Sequence, residues 1–404
     1  MGKRAEAAMT NTSRSEGPEV AEAVAEAVAL ASSWRRALHQ IPELAFQEKK
    51  SSAFVRQKLA GLGLRMRAPM IGTDVVADLD VPRARVRLGL RADLDALPME
   101  EAKNPPWRSR HPGFMHACGH DGHTAILLAS ARALSRLKAK LRVNVRFIFQ
   151  PGEEVKCGAV PLVKAGALRG VDELFALHGW PGIPVGKISS RAGAIFAAGF
   201  FFRIELRGRG THGATPEKGR NPLGAAGEIA LAIEDLHAKW NGRSGAVVSL
   251  CQSNGGTASN VIPSTTTLAG TFRSLSPLEG PRIEADLRAA ITGICRKRAI
   301  AVKIIVDRSY RYPVMNSAES VQRIRGAAAS LGRGVWMPAS APSMASEDFA
   351  HMLRKVPGAM FRLGLGEKQP PLHAPAFDFP DAALANGVGL FVALALGRGL
   401  EPIP

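Results

Sequence analysis

Residues 116–154 read HACGHDGHTAILLASARALSRLKAKLRVNVRFIFQPGEE, and two periodicities meet there. From about Asp121 onward, Ile126, Leu127, Ala133, Leu134 and Leu137 recur at helical spacing, which predicts a helix with one apolar face. RVNVRFIFQ (142–150) is rich in β-branched and aromatic residues and stops at Pro151-Gly152, which predicts a strand closed by a turn. Upstream, ARVRLGLRAD (84–93) reads as a strand; downstream, GAVPLVKAGAL (158–168) reads as a helix and DELFALHGW (172–180) as a strand. Strands alternating with helices predict an α/β domain whose sheet is mostly parallel and covered by helices on both faces.

Two helices precede this region. Val20, Val24 and Val28 repeat at helical spacing after Pro18, and SSAFVRQKLAGLGL (51–64) forms a second helix closed by Gly61 or Gly63. Near residue 192 the pattern changes. In FFFRIELRGRG (200–210), Phe202, Ile204 and Leu206 alternate with Arg203, Glu205 and Arg207, the mark of a strand with one wet face. A helix from about Asn221 to Trp240, strands AVVSLCQ (246–252) and TTTLAGTFRS (265–274), a helix from about Pro277 to Arg298 and strand IAVKIIVDRS (300–309) complete a β-α-β-β-α-β order. That order predicts a ferredoxin-like α+β insert with one open sheet face. The remaining hundred or so residues return to α/β character. The expected organisation is a disordered tail over 1–17, a discontinuous catalytic domain over 18–191 and 307–404, and an inserted lid or dimerisation domain over 192–306.

The 404 residues are enough for two cores. The apolar fraction of 46% and charged fraction of 22% are those of a soluble globular chain. The longest apolar runs fall short of a membrane span, and the opening residues lack the apolar centre of a secretory signal, so a cytoplasmic location is expected. Cys118, Cys157, Cys251 and Cys295 are widely spread, which argues against a disulfide scaffold. The net charge of +18, from 53 basic and 35 acidic residues, invites a nucleic-acid reading. The basic residues are scattered, though, with few aromatics among them; a solvated basic surface that draws in small anions fits better, and neither a nucleic acid nor a membrane is expected as a partner.

Chemistry concentrates at four places. Cys118 and His120 flank Gly119; in an extended loop both would face one side, as two ligands of one metal would, although a His-rich surface loop has the same spelling. Glu153 and Glu154 follow the turn after strand 142–150. Adjacent side chains diverge, so one can bind a metal while the other holds and deprotonates a water, although a solvated turn with two acids is also common. His178 stands at another strand end, and His373 lies far along the chain in PPLHAPAFDF (370–379). Together these sites offer a thiolate, imidazoles and a carboxylate, enough for two cations a few ångströms apart. In the insert, His212 sits in a Gly-rich loop, Asn260 in a Gly-rich turn and Arg273 at a strand end; from the residues alone, turn chemistry accounts for the loop and the turn.

LHQIPELAFQE (38–48), LRADLDALPMEE (90–101), MHACGHDGHTA (115–125), FIFQPGEE (147–154), THGATP (211–216), GGTASNVIP (255–263), ASEDFA (345–350) and LHAPAFDF (372–379) occur in that order. Together they resemble the amidohydrolase branch of the aminoacylase and carboxypeptidase G-like dinuclear metallopeptidases. Hippurate hydrolases, auxin–amino acid conjugate hydrolases and N-acetyldiaminopimelate deacetylases belong to that branch. The resemblance covers nearly the whole chain from Trp34. It implies that Cys118, His120, Glu154, His178 and His373 hold two divalent ions (manganese, zinc, cobalt or nickel), with Cys118 bridging. It implies Glu153 as general base, Asp95 as a carboxylate supporting the metal shell, and His212 as an oxyanion donor that in dimeric relatives reaches the neighbouring subunit's site. Asn260 and Arg273 would contact the substrate. The implied reaction is hydrolysis of an N-acyl amino acid, hippurate-like or N-acetyl, by a homodimer or higher homo-oligomer. A dipeptidase or carboxypeptidase of the same mechanism, or a non-catalytic metal or acyl-amino-acid binder, are the alternatives. The chain departs from the branch at Glu217 and Asn221, where His and Asp are usual, and more mildly at Gly152 and Ala345.

Overall fold

The computed structural model describes residues 3–339 and 341–397, with no side-chain description for 3–16 and 156. The chain divides into two compact units. One holds the chain up to Gly193, Asn316–Ser340 and the chain from His351; the other holds Ala194–Met315 and Ala341–Ala350. The second unit thus gains a short segment, 341–350, that the sequence assigned to the catalytic part.

In the first unit, an eight-stranded sheet runs in the order Arg65–Met66, Val75–Leu79, Asn144–Gln150, Arg87–Asp93, Glu173–Pro181, Gly358–Gly366, Ile188–Ser190, Trp336–Pro338. The four middle strands, from Asn144–Gln150 to Gly358–Gly366, are mutually parallel. Strands Arg65–Met66 and Val75–Leu79 at one edge are antiparallel, and Ile188–Ser190 runs antiparallel to Gly358–Gly366. Parallel central strands need cover on both faces, which explains why Arg87–Asp93 and Asn144–Gln150 are buried at nearly every position. One face, with Leu88, Leu90, Ala92, Phe147 and Phe149, joins the apolar core built by helices Lys49–Leu59, His120–Arg136 and Leu384–Ala395. A charged set centres on buried Asp78, which receives buried Arg146 at 2.7 Å and the partly exposed Arg67 at 3.0 Å and Arg87 at 3.1 Å. Burial alone would raise the Asp78 pKa, but Arg146 and Arg67 hold it below the ordinary value.

The first helix is longer than the spacing after Pro18 predicts. It spans Lys3–His39 with Pro18 inside it, so residues 3–17 are helical where a disordered tail was expected; residues 1–2 lie outside the described residues. Among the residues whose side chains are described, its buried positions include Val20, Ala23, Ala27, Ala31 and Trp34 at helical intervals. Among the described residues no helix is long and apolar enough to cross a membrane.

The second unit has a four-stranded antiparallel sheet ordered Val247–Gly255, Thr265–Ser274, Ala198–Arg207, Ala301–Tyr310. With helices Pro222–Ser244 and Glu279–Lys297 this is the ferredoxin-like arrangement read from the sequence. The alternation holds in detail: Phe200, Phe202, Ile204 and Leu206 are buried, while Phe201 on the other face is 43% exposed. Strand Ala301–Tyr310 runs past the expected boundary at 306.

Candidate metal centre

Parallel strands bring their C-terminal ends to one edge of a sheet, where α/β proteins place ligands. Strand Arg87–Asp93 leads into Asp95, strand Asn144–Gln150 leads into Glu153 and Glu154, and the next parallel strand carries His178. His178 lies inside its strand, which continues to Pro181, rather than at its end.

Cys118 and His120 meet for a reason other than an extended loop. Gly119 between them is left-handed, with φ +86°, and caps a helix that starts at His120, one residue earlier than the spacing predicts. A side chain at Gly119 would press within 3.0 Å of the Phe379 ring, so the close approach and the backbone angle both call for glycine. The Cys118 Sγ lies 3.5 Å from His178 Nε2. His178 Nδ1 donates to the Gly179 carbonyl at 2.8 Å, and His120 Nδ1 donates to the Asp95 carbonyl at 2.8 Å. Both imidazoles therefore turn Nε2 toward the centre, the atom left to ligate once Nδ1 is bonded to a carbonyl. His120 Nε2 is buried with no hydrogen-bond partner among the described residues, 3.7 Å from Asp93 and 3.8 Å from Glu154.

His373 comes from the loop after strand Gly358–Gly366 and adopts φ +60°. Its N–H donates to the Ala117 carbonyl at 2.9 Å, and its Nε2 lies 3.1 Å from Glu154 Oε1. Arg35 holds the following residues, reaching Asp378 at 2.9 Å and Asp381 at 2.5 Å. The donor atoms of Cys118, His120 and His178 all lie within 4.8 Å of one another, and so do those of Cys118, Glu154 and His373. Two triads sharing one sulfur is a donor set suited to a pair of borderline divalent ions.

The electrostatics agree. Burial lowers the His178 pKa to about 3, which keeps it neutral. Burial opposes a charge on His120 too, yet Asp93, Asp95 and Glu154 pull its pKa up to about 10, so the carboxylates favour positive charge at that point. Burial and the Glu154 and Glu153 carboxylates push the Cys118 thiol well above its ordinary value, a shift that a cation reverses.

The Asp95 carboxylate backs the centre: Oδ1 accepts from Glu153 N and Oδ2 from Glu154 N, each at 3.0 Å, and Oδ1 lies 3.5 Å from His120 Nδ1. Three further residues of this centre went unassigned in the sequence. Asp93 Oδ1 accepts from His123 Nδ1 at 2.7 Å, while His123 Nε2 accepts from Gly179 N at 2.7 Å, tying the helix start to the strand of His178. His123 was findable, since it falls one turn after His120 on the same helix face. Asp93 had no distinguishing signal beside Asp95. The third, Glu48, touches the turn ahead of Glu153. His116 is buried with neither ring nitrogen bonded among the described residues, and burial lowers it to about 3; the structure gives it no chemical part.

His212, Asn260 and Arg273 belong to the second unit. Thr211–His212 pairs with Val261–Ile262, and Gly213 N donates to the Asn260 carbonyl at 2.7 Å, so His212 and Asn260 share one ribbon. His212 Nδ1 accepts from Ala214 N at 3.1 Å, which leaves Nε2–H as an exposed donor. Arg273 Nη1 donates to the Met344 carbonyl at 2.9 Å and to Ser346 Oγ at 3.2 Å. The departure at Asn221 has a local role: its side chain caps helix Pro222–Ser244 by accepting from Leu223 N at 2.9 Å. Glu217 lies exposed in a short 3-10 turn.

Comparison with known proteins agrees with this architecture. Residues 89–397 match Peptidase family M20/M25/M40. The chain is 35% identical over 352 residues to the N-acetyl-L-cysteine deacetylase of Bacillus subtilis, covering 87% of this chain and 83% of that one. It is 33% identical over 381 residues to the N-acetyldiaminopimelate deacetylase of Lacticaseibacillus casei, covering 91% and 98%. A solved Bacillus subtilis structure, described as a dinuclear metal binding peptidase of the M20 family, superposes with a TM-score of 0.80 at 31% identity, covering 92% and 98%. The chain belongs to peptidase family M20/M25/M40.

Proposed function

We propose that this protein is a metal-dependent amidohydrolase that cleaves the amide bond of N-acyl amino acids, releasing a carboxylic acid and a free amino acid. The observation that carries the reading is the pair of donor triads sharing Cys118, with Glu153 beside Glu154. Deacetylase activity in the relatives' names supports the acyl-amino-acid class. In this reading Cys118, His120 and His178 hold one divalent ion, and Cys118, Glu154 and His373 the other. When bound, the ions would polarise the amide carbonyl and make a nearby water more acidic. Glu153 takes a proton from that water as its oxygen bonds to the carbonyl carbon. It then delivers the proton to the amide nitrogen as the C–N bond breaks. His212 donates Nε2–H to the carbonyl oxygen as that atom gains charge. Asn260 and Arg273 orient the substrate, its carboxylate included. A homodimer, and manganese, zinc, cobalt or nickel as the metal, complete the proposal.

Glu153→Gln tests it. The variant should keep its metal, measured by elemental analysis, while turnover of an N-acetyl amino acid falls by about 10²- to 10⁴-fold. Retained turnover removes Glu153 as the base.

A further inference from the structure

Gly152, Glu153 and Glu154 present three consecutive N–H groups, and each ends on a buried carboxylate. Asp95 takes the second and third; Glu48 takes the first, with Gly152 N donating to Oε1 at 2.9 Å. Glu48 is 0% exposed and lies 104 residues away in sequence. The same Oε1 accepts from Phe46 N at 2.9 Å, and Oε2 accepts from Thr73 Oγ1 at 2.7 Å. Phe46 adopts φ +64°, unusual for a bulky residue. That conformation lays its ring against Gly152, so close that a Cβ there would stand 2.9 Å from Phe46 Cε2. Gly152 itself has φ +67°. On its far side the Gly152 carbonyl accepts from Gly158 N at 2.9 Å. The turn carrying the two glutamates is thus gripped from below by a carboxylate and a ring belonging to one short segment, 46–48. Burial lifts Glu48 to about 7 against its hydrogen bonds, with the Asp95 charge adding to the rise.

We propose that Glu48 is a positioning residue for Glu153: it sets the pitch of the Pro151–Glu154 turn and so aims the proton-transferring carboxylate. The proposal rests on Glu153 being the base. Glu48 acts only through the backbone, touching neither substrate nor metal ligands. A displacement of about 1 Å at a reacting group can cost ~10²-fold, which is why such a distant clamp matters.

The test compares full-length, metal-loaded Glu48→Gln, Glu48→Ala, Thr73→Val and Glu153→Gln with the parent protein. It reads kcat, KM, bound metal per chain and, in the metal-free proteins, hydrogen exchange over 150–156. Glu48→Gln keeps an oxygen for the two N–H groups and turns its NH₂ toward Thr73 Oγ, so kcat should stay within about 3-fold. Glu48→Ala strands two buried N–H groups; kcat should drop about 10- to 100-fold with KM and metal content held, and exchange at 152–154 should quicken. The proposal is overturned if Glu48→Ala keeps the parent kcat, if Glu48→Gln loses as much as Glu48→Ala, or if exchange at the turn is unaltered. If Glu48→Ala does not fold, Thr73→Val decides: a smaller kcat loss at constant KM supports the clamp, and no loss overturns it. Glu153→Gln separates the two readings. Full activity there sinks the base assignment, whereas an inert Glu153→Gln beside a fully active Glu48→Ala sinks only the clamp.

Discussion

At the scale of single residues, Cys118 carries the most consequence, because both donor triads use its sulfur. A buried thiol beside Glu154 and Glu153 resists ionisation, so its value as a ligand depends on the cations that would offset those charges. A hydroxyl is a harder and weaker donor than a thiolate. Cys118→Ser should therefore retain fewer than two ions per chain after dialysis, with an unchanged far-UV spectrum; parent stoichiometry would remove Cys118 as the shared donor. His39 makes a different prediction. Its ring nitrogens face Asp121 at 2.8 Å and Glu101 at 3.3 Å. Burial opposes the imidazolium, but the two acids prevail and raise the pKa to about 10. The folded value lies above the ordinary 6.5, so this stabilisation is complete below that pH and is lost as pH rises through about 10. The midpoint of thermal unfolding should fall more steeply between pH 8 and pH 10.5 in the parent than in His39→Asn, whose side chain has no such proton to lose. Equal slopes would show that the pair does not titrate as a folded unit.

At the scale of elements, what could be read in the sequence was whatever repeats locally. Alternation at Phe202, Ile204 and Leu206 and the buried run Asn144–Gln150 located strands because burial on one face or two leaves a pattern within a few residues. The metal-type donors were legible as well, since cysteine, histidine and a pair of adjacent glutamates stand out by residue type. Contacts between remote segments left no such trace. The grip of Phe46 and Glu48 on Gly152, and the left-handed Gly119 that brings Cys118 to His120, depend on partners that no local window contains. The segment 341–350 joins the second unit for the same kind of reason: Ala197 N donates to the Ser343 and Ala345 carbonyls, at 3.0 and 2.9 Å. Gly158 illustrates how tightly these elements are set. A Cβ there would lie 1.7 Å from the Pro151 carbonyl oxygen, a backbone atom that cannot rotate away. Gly158→Ala should displace the turn ahead of Glu153, with an overpacking cost of about 1–3 kcal/mol. It should lower both the unfolding midpoint and kcat; a parent-like kcat would mean the glutamate pair tolerates movement of its turn.

At the scale of the whole molecule, the proposed substrate class gives the +18 charge a testable part. An N-acyl amino acid is an anion at neutral pH, because acylation removes its amine and leaves its carboxylate. The summed field of basic residues raises the local concentration of small anions and speeds their arrival. Such an effect is long-ranged and screened, with a Debye length of about 10 Å at 0.1 M salt and about 30 Å at 0.01 M. Binding through direct contacts, such as those proposed for Arg273 and a metal ion, is screened far less. Raising ionic strength from 0.01 to 0.2 M with an inert salt should therefore lower kcat/KM for an N-acetyl amino acid several-fold while leaving kcat nearly constant, since chemistry in the bound complex no longer feels the distant field. The matching neutral substrate, with its carboxylate converted to an amide, should show little salt dependence. If both substrates respond alike, the salt is acting on the enzyme rather than on the encounter, and the basic surface has no part in capturing substrate.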